Sequence, residues 1–186
     1  MKKILRLFVN RVLRLICGVI AVLSLILSVS ISSKAATITI TTNTNWNVAG
    51  IGSGDDVVVS NGRTLTVNVA NAQCYSIQLG GTTNGSGSGT LAFAANSQVT
   101  VSGLVTIGNG NRSGSIIMTN GGTLACQGFT VNNAGTWTRG TGTVELTATN
   151  TLPSSFFTSF NNLTISNGTT TTGANLTISR NLNISD

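Results

Sequence analysis

Two stretches of this chain write one pattern twice, 25 residues apart: GTLAFAANSQVTVSG at 89–103 and GSIIMTNGGTLACQG at 114–128. Few letters match, yet the apolar positions coincide. Leu91 falls on Ile116, Phe93 on Met118, Val99 on Leu124, Val101 on Cys126 and Leu104 on Phe129. Gly89 meets Gly114 and Gly103 meets Gly128. A chain that repeats where its apolar side chains fall, while its polar ones drift, specifies contacts between repeats.

The unit inside the pattern is a triplet: apolar, any residue, apolar. It appears as LTV at 65–67, IQL at 77–79, LAF at 91–93 and VTV at 99–101. VTI at 105–107, IIM at 116–118, LAC at 124–126 and FTV at 129–131 continue it. VEL at 144–146, LTI at 163–165, LTI at 176–178 and LNI at 182–184 complete it. Successive strand side chains point to opposite faces, so each triplet puts two apolar groups on one side. Glycine, asparagine and serine separate the triplets and suit turns. No helical period is present after residue 36.

The expected fold is all-β: a right-handed parallel β-helix, or β-solenoid, of roughly four to five coils. One coil cannot bury its inward face alone, so stacking must do it. The rival is an antiparallel β-sandwich or meander, because Asn-Gly between strands is a strong hairpin signal. The recurrence of equivalent apolar sites, and triplets shorter than sandwich strands, favour the solenoid. An earlier coil spans Val57 to Gly80, and TTNGSGS at 82–88 reads as an inserted loop. A later coil begins near Thr143 and takes in VELTATNTLPSSFFTSFNNLTI. A partial coil, ANLTISRNLNIS, aligns loosely with 122–133. Residues 36–56 are expected to cap the first coil, with TITIT as a starting strand and Trp46 as a lid. Residues 57–186 form the repeats, and their C-terminal end is expected to be uncapped, to stack on further repeats or on another chain.

Residues 1–35 read differently. Lys2, Lys3, Arg6, Arg11 and Arg14 precede an apolar run from Leu15 to Ile31, and SSKAA follows. Basic, apolar, then small is the order of a secretory signal peptide, with cleavage near Ala35 or Ala36. The alternative is an uncleaved anchor, since the run is rather long, but it is barely long enough to span a bilayer, which favours cleavage. No lipobox surrounds Cys17. This segment also holds most of the positive charge. Without those five residues and Lys34, four arginines (Arg63, Arg112, Arg139, Arg180) face Asp55, Asp56, Glu145 and Asp186, a net charge of zero. Phosphate recognition needs a basic face, and the remainder has none, so nucleic acid is not an expected partner.

No catalytic, cofactor-binding or metal-ligating residue is expected. Acid–base chemistry needs paired ionisable groups. Asp55 and Asp56 are adjacent and would point to opposite faces of a strand, Glu145 lies on an outer face, and the chain has no histidine. Each carboxylate reads as a solvated or turn-capping group. Calcium at Asp55–Asp56 is the weighed alternative, though the glycine–aspartate nonapeptide of calcium-binding β-rolls is absent. Cys126 is expected to point inward and Cys74 outward or into a corner, leaving both unpaired. The threonine pairs Thr64/Thr66, Thr136/Thr138 and Thr147/Thr149 read as outward strand positions. Trp137 and Tyr75 are weighed as sugar-stacking platforms against packing at corners. Six N-x-S/T sequons, at Asn84, Asn111, Asn162, Asn167, Asn175 and Asn183, follow from a composition rich in Asn and Thr.

The run NWNVAGIGSGDDVVVSNGRTLTVNV, with CYSIQLGG and GTLAF, resembles the start of large secreted bacterial β-solenoid proteins. GTGTVELTATNTLPSSFFTSFNNLTISNGTTTTGANLTISRNLNIS is similar to their later repeats. The resemblance implies an adhesin-like, cell-surface or secreted protein of the kind often exported through the type IX system. It implies a structural role without enzymatic activity, and surface glycans or other surface proteins as partners. The C-terminal sorting domain usual in that family is not in this sequence, which suggests the front part of a longer product. A further likeness is to a glycine-named extracellular domain proposed to bind polysaccharide. The alternative reading is a polysaccharide-binding module, or the N-terminal part of a polysaccharide-degrading β-helix enzyme, although the clustered Asp with Arg or Lys that a lyase on this fold needs is not found in this sequence.

Overall fold

A computed structural model describes residues 35–81 and 86–185. The signal-peptide expectation, part of the 82–88 loop and Asp186 fall outside the described residues. The strands are Thr37–Ile40 (β1), Thr44–Asn45 (β2), Asp56–Val59 (β3), Thr64–Val67 (β4), Ala72–Cys74 (β5) and Ser76–Leu79 (β6). Gly89–Phe93 (β7), Gln98–Ile107 (β8), Gly114–Ile117 (β9), Thr123–Val131 (β10) and Ala134–Thr138 (β11) follow. Thr143–Leu146 (β12), Asn150–Leu152 (β13), Ser159–Ile165 (β14), Thr170–Thr172 (β15) and Thr177–Ile184 (β16) complete the series. A single 3-10 turn, Trp46–Val48, is the only helical element among the described residues.

Every pairing between these strands is parallel. A nine-stranded sheet runs β1-β3-β6-β8-β10-β12-β14-β16, with β5 also on β8. A five-stranded sheet runs β11-β9-β7-β4-β2, and β13 pairs β15. The antiparallel alternative is therefore not adopted. The Asn-Gly dipeptides that suggested hairpins serve as turns between successive sheets instead. Among the described residues, the one antiparallel contact is an isolated bridge from Asn109 to Arg112 within one such turn.

Parallel register turns the triplets into columns. Leu65, Leu91, Ile116 and Trp137 align across the five-stranded sheet. Val57, Ile77, Val105 and Phe129 align across the other. Ala72, Val99, Leu124, Val144, Leu163 and Leu182 form a third column. Apart from Trp137 and Leu182, all of these are buried. Full burial of each Leu, Ile, Val or Phe contributes about 1.5–3 kcal/mol, and only its neighbours along the stack provide it.

Four expectations need correction. Leu104 does not meet Phe129, nor Gly103 meet Gly128. The register shifts between Cys126 and Gly128, so Leu104 opposes Gly128 and Val105 opposes Phe129. The chain bends across this point, β8 carries one residue more than β10, and Leu104 is 47% exposed. Cys74 is not outward: it is fully buried, aligned with Val101. The odd count from Cys74 to Ile77 arises because Tyr75 turns the corner between β5 and β6, where alternation stops. Finally, Leu182, not Leu176, falls in the column of Leu124.

The two ends of the stack differ. Trp46 is 5% exposed and joins the core with Ile40, while Ala49 and Ile51 pack against it. In β16, Leu182 and Ile184 are 50% and 66% exposed.

Candidate functional site

The described carboxylates do not converge. Asp55 caps the turn before β3: its Oδ2 accepts from Gly52 N–H at 2.7 Å and its Oδ1 from Ala36 N–H at 3.0 Å. Asp56 accepts from the Ser76 hydroxyl on the neighbouring strand. Glu145 points outward between buried Val144 and Leu146. The ladder from β3 to β12 passes through β6, β8 and β10, four steps or roughly 19 Å. Paired-carboxylate chemistry works over about 5–10 Å. Among the described residues, no three His, Cys, Asp or Glu side chains gather as a metal site.

Cys74 and Cys126 are free and buried. Val101 lies between them in one column. Two strand steps separate them by roughly 10 Å, beyond the about 7 Å that a disulfide spans between α-carbons. Burial pushes both thiols up to about 12, with Asp56 and Asp55 adding to the effect at Cys74. Reactivity requires the thiolate, so both behave as small apolar groups.

Trp137 is half-buried and packs against the core. Its ring lies 5.0 Å from Phe157 and 5.5 Å from Phe160, and its indole N–H donates to the Ser159 carbonyl at 2.7 Å. Tyr75 is 55% exposed at its corner, over Gly103, whose N–H donates to the Tyr75 carbonyl. Arg139 donates to the Phe160 carbonyl at 3.2 Å and to the Ser179 hydroxyl, tying three successive passages together. The threonine pairs do not form one ladder, since Thr66 aligns with Ala92. Of the sequon asparagines, Asn111, Asn167, Asn175 and Asn183 are exposed, and Asn162 is half-buried in the ladder described next.

One polar arrangement runs along part of the stack, from β8 to β16. Gln98, Thr123, Thr143, Asn162 and Asn181 align on successive strands of the nine-stranded sheet. Asn181 Nδ2 donates to Asn162 Oδ1 at 3.1 Å, and Asn162 Nδ2 to Thr143 Oγ1 at 3.3 Å. Each residue stands just before an apolar triplet: QVTV, TLAC, TVEL, NLTI, NLNI. That placement is a signal the triplet reading passed over, because it attended to the apolar letters only. Asn47 and Asn68 form a similar amide rung elsewhere, at 2.9 Å.

Beside this column lies an open groove of about 430 Å³, lined by Asn96, Gln98, Asn120, Thr123, Thr141 and Thr143, with Ser97 and two glycines. Three equivalent turns build its wall. Ser97 N–H donates to Ala94 O, Gly121 N–H to Met118 O and Gly142 N–H to Arg139 O. The last turn needs glycine at 140: φ is +46° there, and a Cβ would run into the Met118 carbonyl.

No protein-family model, curated protein or solved structure matches this chain.

Proposed function

We propose that this chain is a non-enzymatic, adhesin-like structural segment of a secreted or cell-surface bacterial protein. Its fold is read as a right-handed parallel β-helix of roughly four to five coils. The observation that carries the reading is the continuous parallel pairing from β1 to β16 in one sheet, which supports a stiff, repetitive stack. Glu145 lies four strand steps from Asp55 and Asp56, which favours a role in presentation over one in catalysis. The half-exposed Leu182 and Ile184 support onward stacking of β16 on further repeats or on another chain. The apolar run at 15–31, after its basic residues, supports export.

Surface labelling of intact source cells tests this. An epitope placed in the 82–88 loop is expected to be reached by antibody without permeabilisation. Retention inside the cell would overturn the proposal. N-terminal sequencing of the exported product is expected to begin near Ala36.

The second reading, a polysaccharide-binding module or the start of a polysaccharide-degrading enzyme, is favoured by the uncharged amide and hydroxyl groove. Release of new reducing ends from a polysaccharide would favour the enzyme form over the structural one.

A further inference from the structure

The groove beside the Gln98–Asn181 column has three properties that together restrict what it can hold. It is lined by neutral hydrogen-bonding groups: Asn96, Gln98, Asn120, Thr123, Thr141 and Thr143. It repeats along the stack, because equivalent turns recur on successive passages at one strand spacing, roughly 4.8 Å. Its outermost amides are unused. The Asn96, Gln98 and Asn120 side chains are exposed and make no hydrogen bond to other described residues, whereas Asn162 and Asn181 are bonded within the ladder.

We propose that this groove binds an extended neutral glycan lying along the stack. The inference deepens the glycan-partner reading above and rests on it. Each passage offers a donor and an acceptor at a fixed height. A β-linked hexose chain presents hydroxyls at nearly the interval of one strand spacing, so successive sugars meet equivalent partners. The groove spans three passages, at Gln98, Thr123 and Thr143, two strand spacings or roughly 10 Å, enough for about two sugars. Charge selects against acidic glycans. No Lys or Arg lines the groove, and Glu145 stands two residues from Thr143 on the same outward face. No aromatic ring lines it either, so recognition is by hydrogen bonds, which are individually modest in water. Binding is therefore weak per site and gains from many sites along a polymer.

The test is an NMR titration of the full chain with cellohexaose, a linear neutral β-1,4 hexamer, and with hexagalacturonate, an anionic oligomer of the same length. Cellohexaose is expected to shift the side-chain amide signals of Asn96, Gln98 and Asn120 with a dissociation constant of about 1 mM. The double variant Gln98→Ala/Asn120→Ala is expected to weaken binding about tenfold. Thr130→Ala, exposed outside the groove, leaves it unchanged. Silence at those amides in the unmodified chain overturns the proposal, as does equal binding of hexagalacturonate or equal loss in Thr130→Ala. A silent groove on a surface-exposed protein would sink this inference and leave the structural reading standing.

Discussion

The interior is built in two ways. From Val57 to Met118 it is mostly aliphatic, with Phe93 its one buried ring: Val57, Leu65, Leu79, Leu91, Ile107 and Ile116 stack with side chains of similar size. From Phe129 to Phe160 an aromatic cluster joins Val144, Leu146 and Leu152: Phe129, Trp137, Phe156, Phe157 and Phe160 meet at ring separations of 4.5–6.3 Å. The change coincides with a change in the backbone. Corresponding residues stand 25 apart between Gln98 and Thr123, then 20 apart to Thr143 and 19 apart to Asn162. The five-stranded sheet ends at β11, and on the next passage the segment Pro153–Thr158 runs without strand structure. Where strands pair in register, like-sized aliphatics fill the interior by repetition. Where a strand is missing, fewer and larger rings fill the space.

This contrast can be broken or sharpened by substitution. The largest effect is expected from Phe160→Ala, about 3–5 kcal/mol, because the ring is fully buried against two other aromatics and its loss leaves a cavity. Urea unfolding of the full chain, followed by fluorescence, checks it. Trp46 and Trp137 report on different regions, so Trp→Phe variants assign the signal. A midpoint unmoved by Phe160→Ala would mean that the aromatic cluster is not part of the cooperative core. Leu91→Ala is expected to cost about 2–4 kcal/mol in the same assay. A much smaller loss would show that the aliphatic columns collapse around a gap.

The thiols give a pH prediction. Burial holds the Cys126 proton up to about 12, against the hydrogen bond from the Gly128 backbone, which works in the opposite direction. In the unfolded chain a thiol loses its proton near pH 8.5, about the free value. The folded state then binds more protons than the unfolded one. The stabilisation is complete below that pH and falls as pH rises toward 12, by about 1.4 kcal/mol per unit for each thiol. Cys126→Ala should make the urea midpoint less steep against pH between 9 and 11. An unchanged slope would refute the assignment.

Smaller effects probe tolerance. Ile116→Val removes one methyl group from a column and should cost about 0.5–1.5 kcal/mol. Leu182→Ala, at the half-exposed strand β16, should change stability by less than about 1 kcal/mol. It should instead lower any concentration-dependent association seen in sedimentation. A large loss of stability there would show that β16 is covered.

Much of the fold was legible because triplets mark strand faces directly. Leu91 opposite Ile116 and Val99 opposite Leu124 follow from spacing alone. What failed lies at corners. Alternation counts residues reliably only while the backbone is extended. At Tyr75 and at Gly103 the chain turns, the count slips by one, and Cys74 and Leu104 exchange the faces assigned to them. Phe156 and Phe157 carry no alternation, so nothing in their spacing announced a shared cluster. The polar column was visible as the letter before each triplet, but polar positions drift between Gln, Thr and Asn. Only register showed that they align.

Parallel pairing also fixes how this protein responds to force. Ladder hydrogen bonds point from one passage to the next, along the direction of stacking. Tension applied between the two ends of the stack therefore falls on the ladders in series, and the weakest ladder parts first. Such a body yields gradually under load, one rung at a time, rather than snapping as a whole.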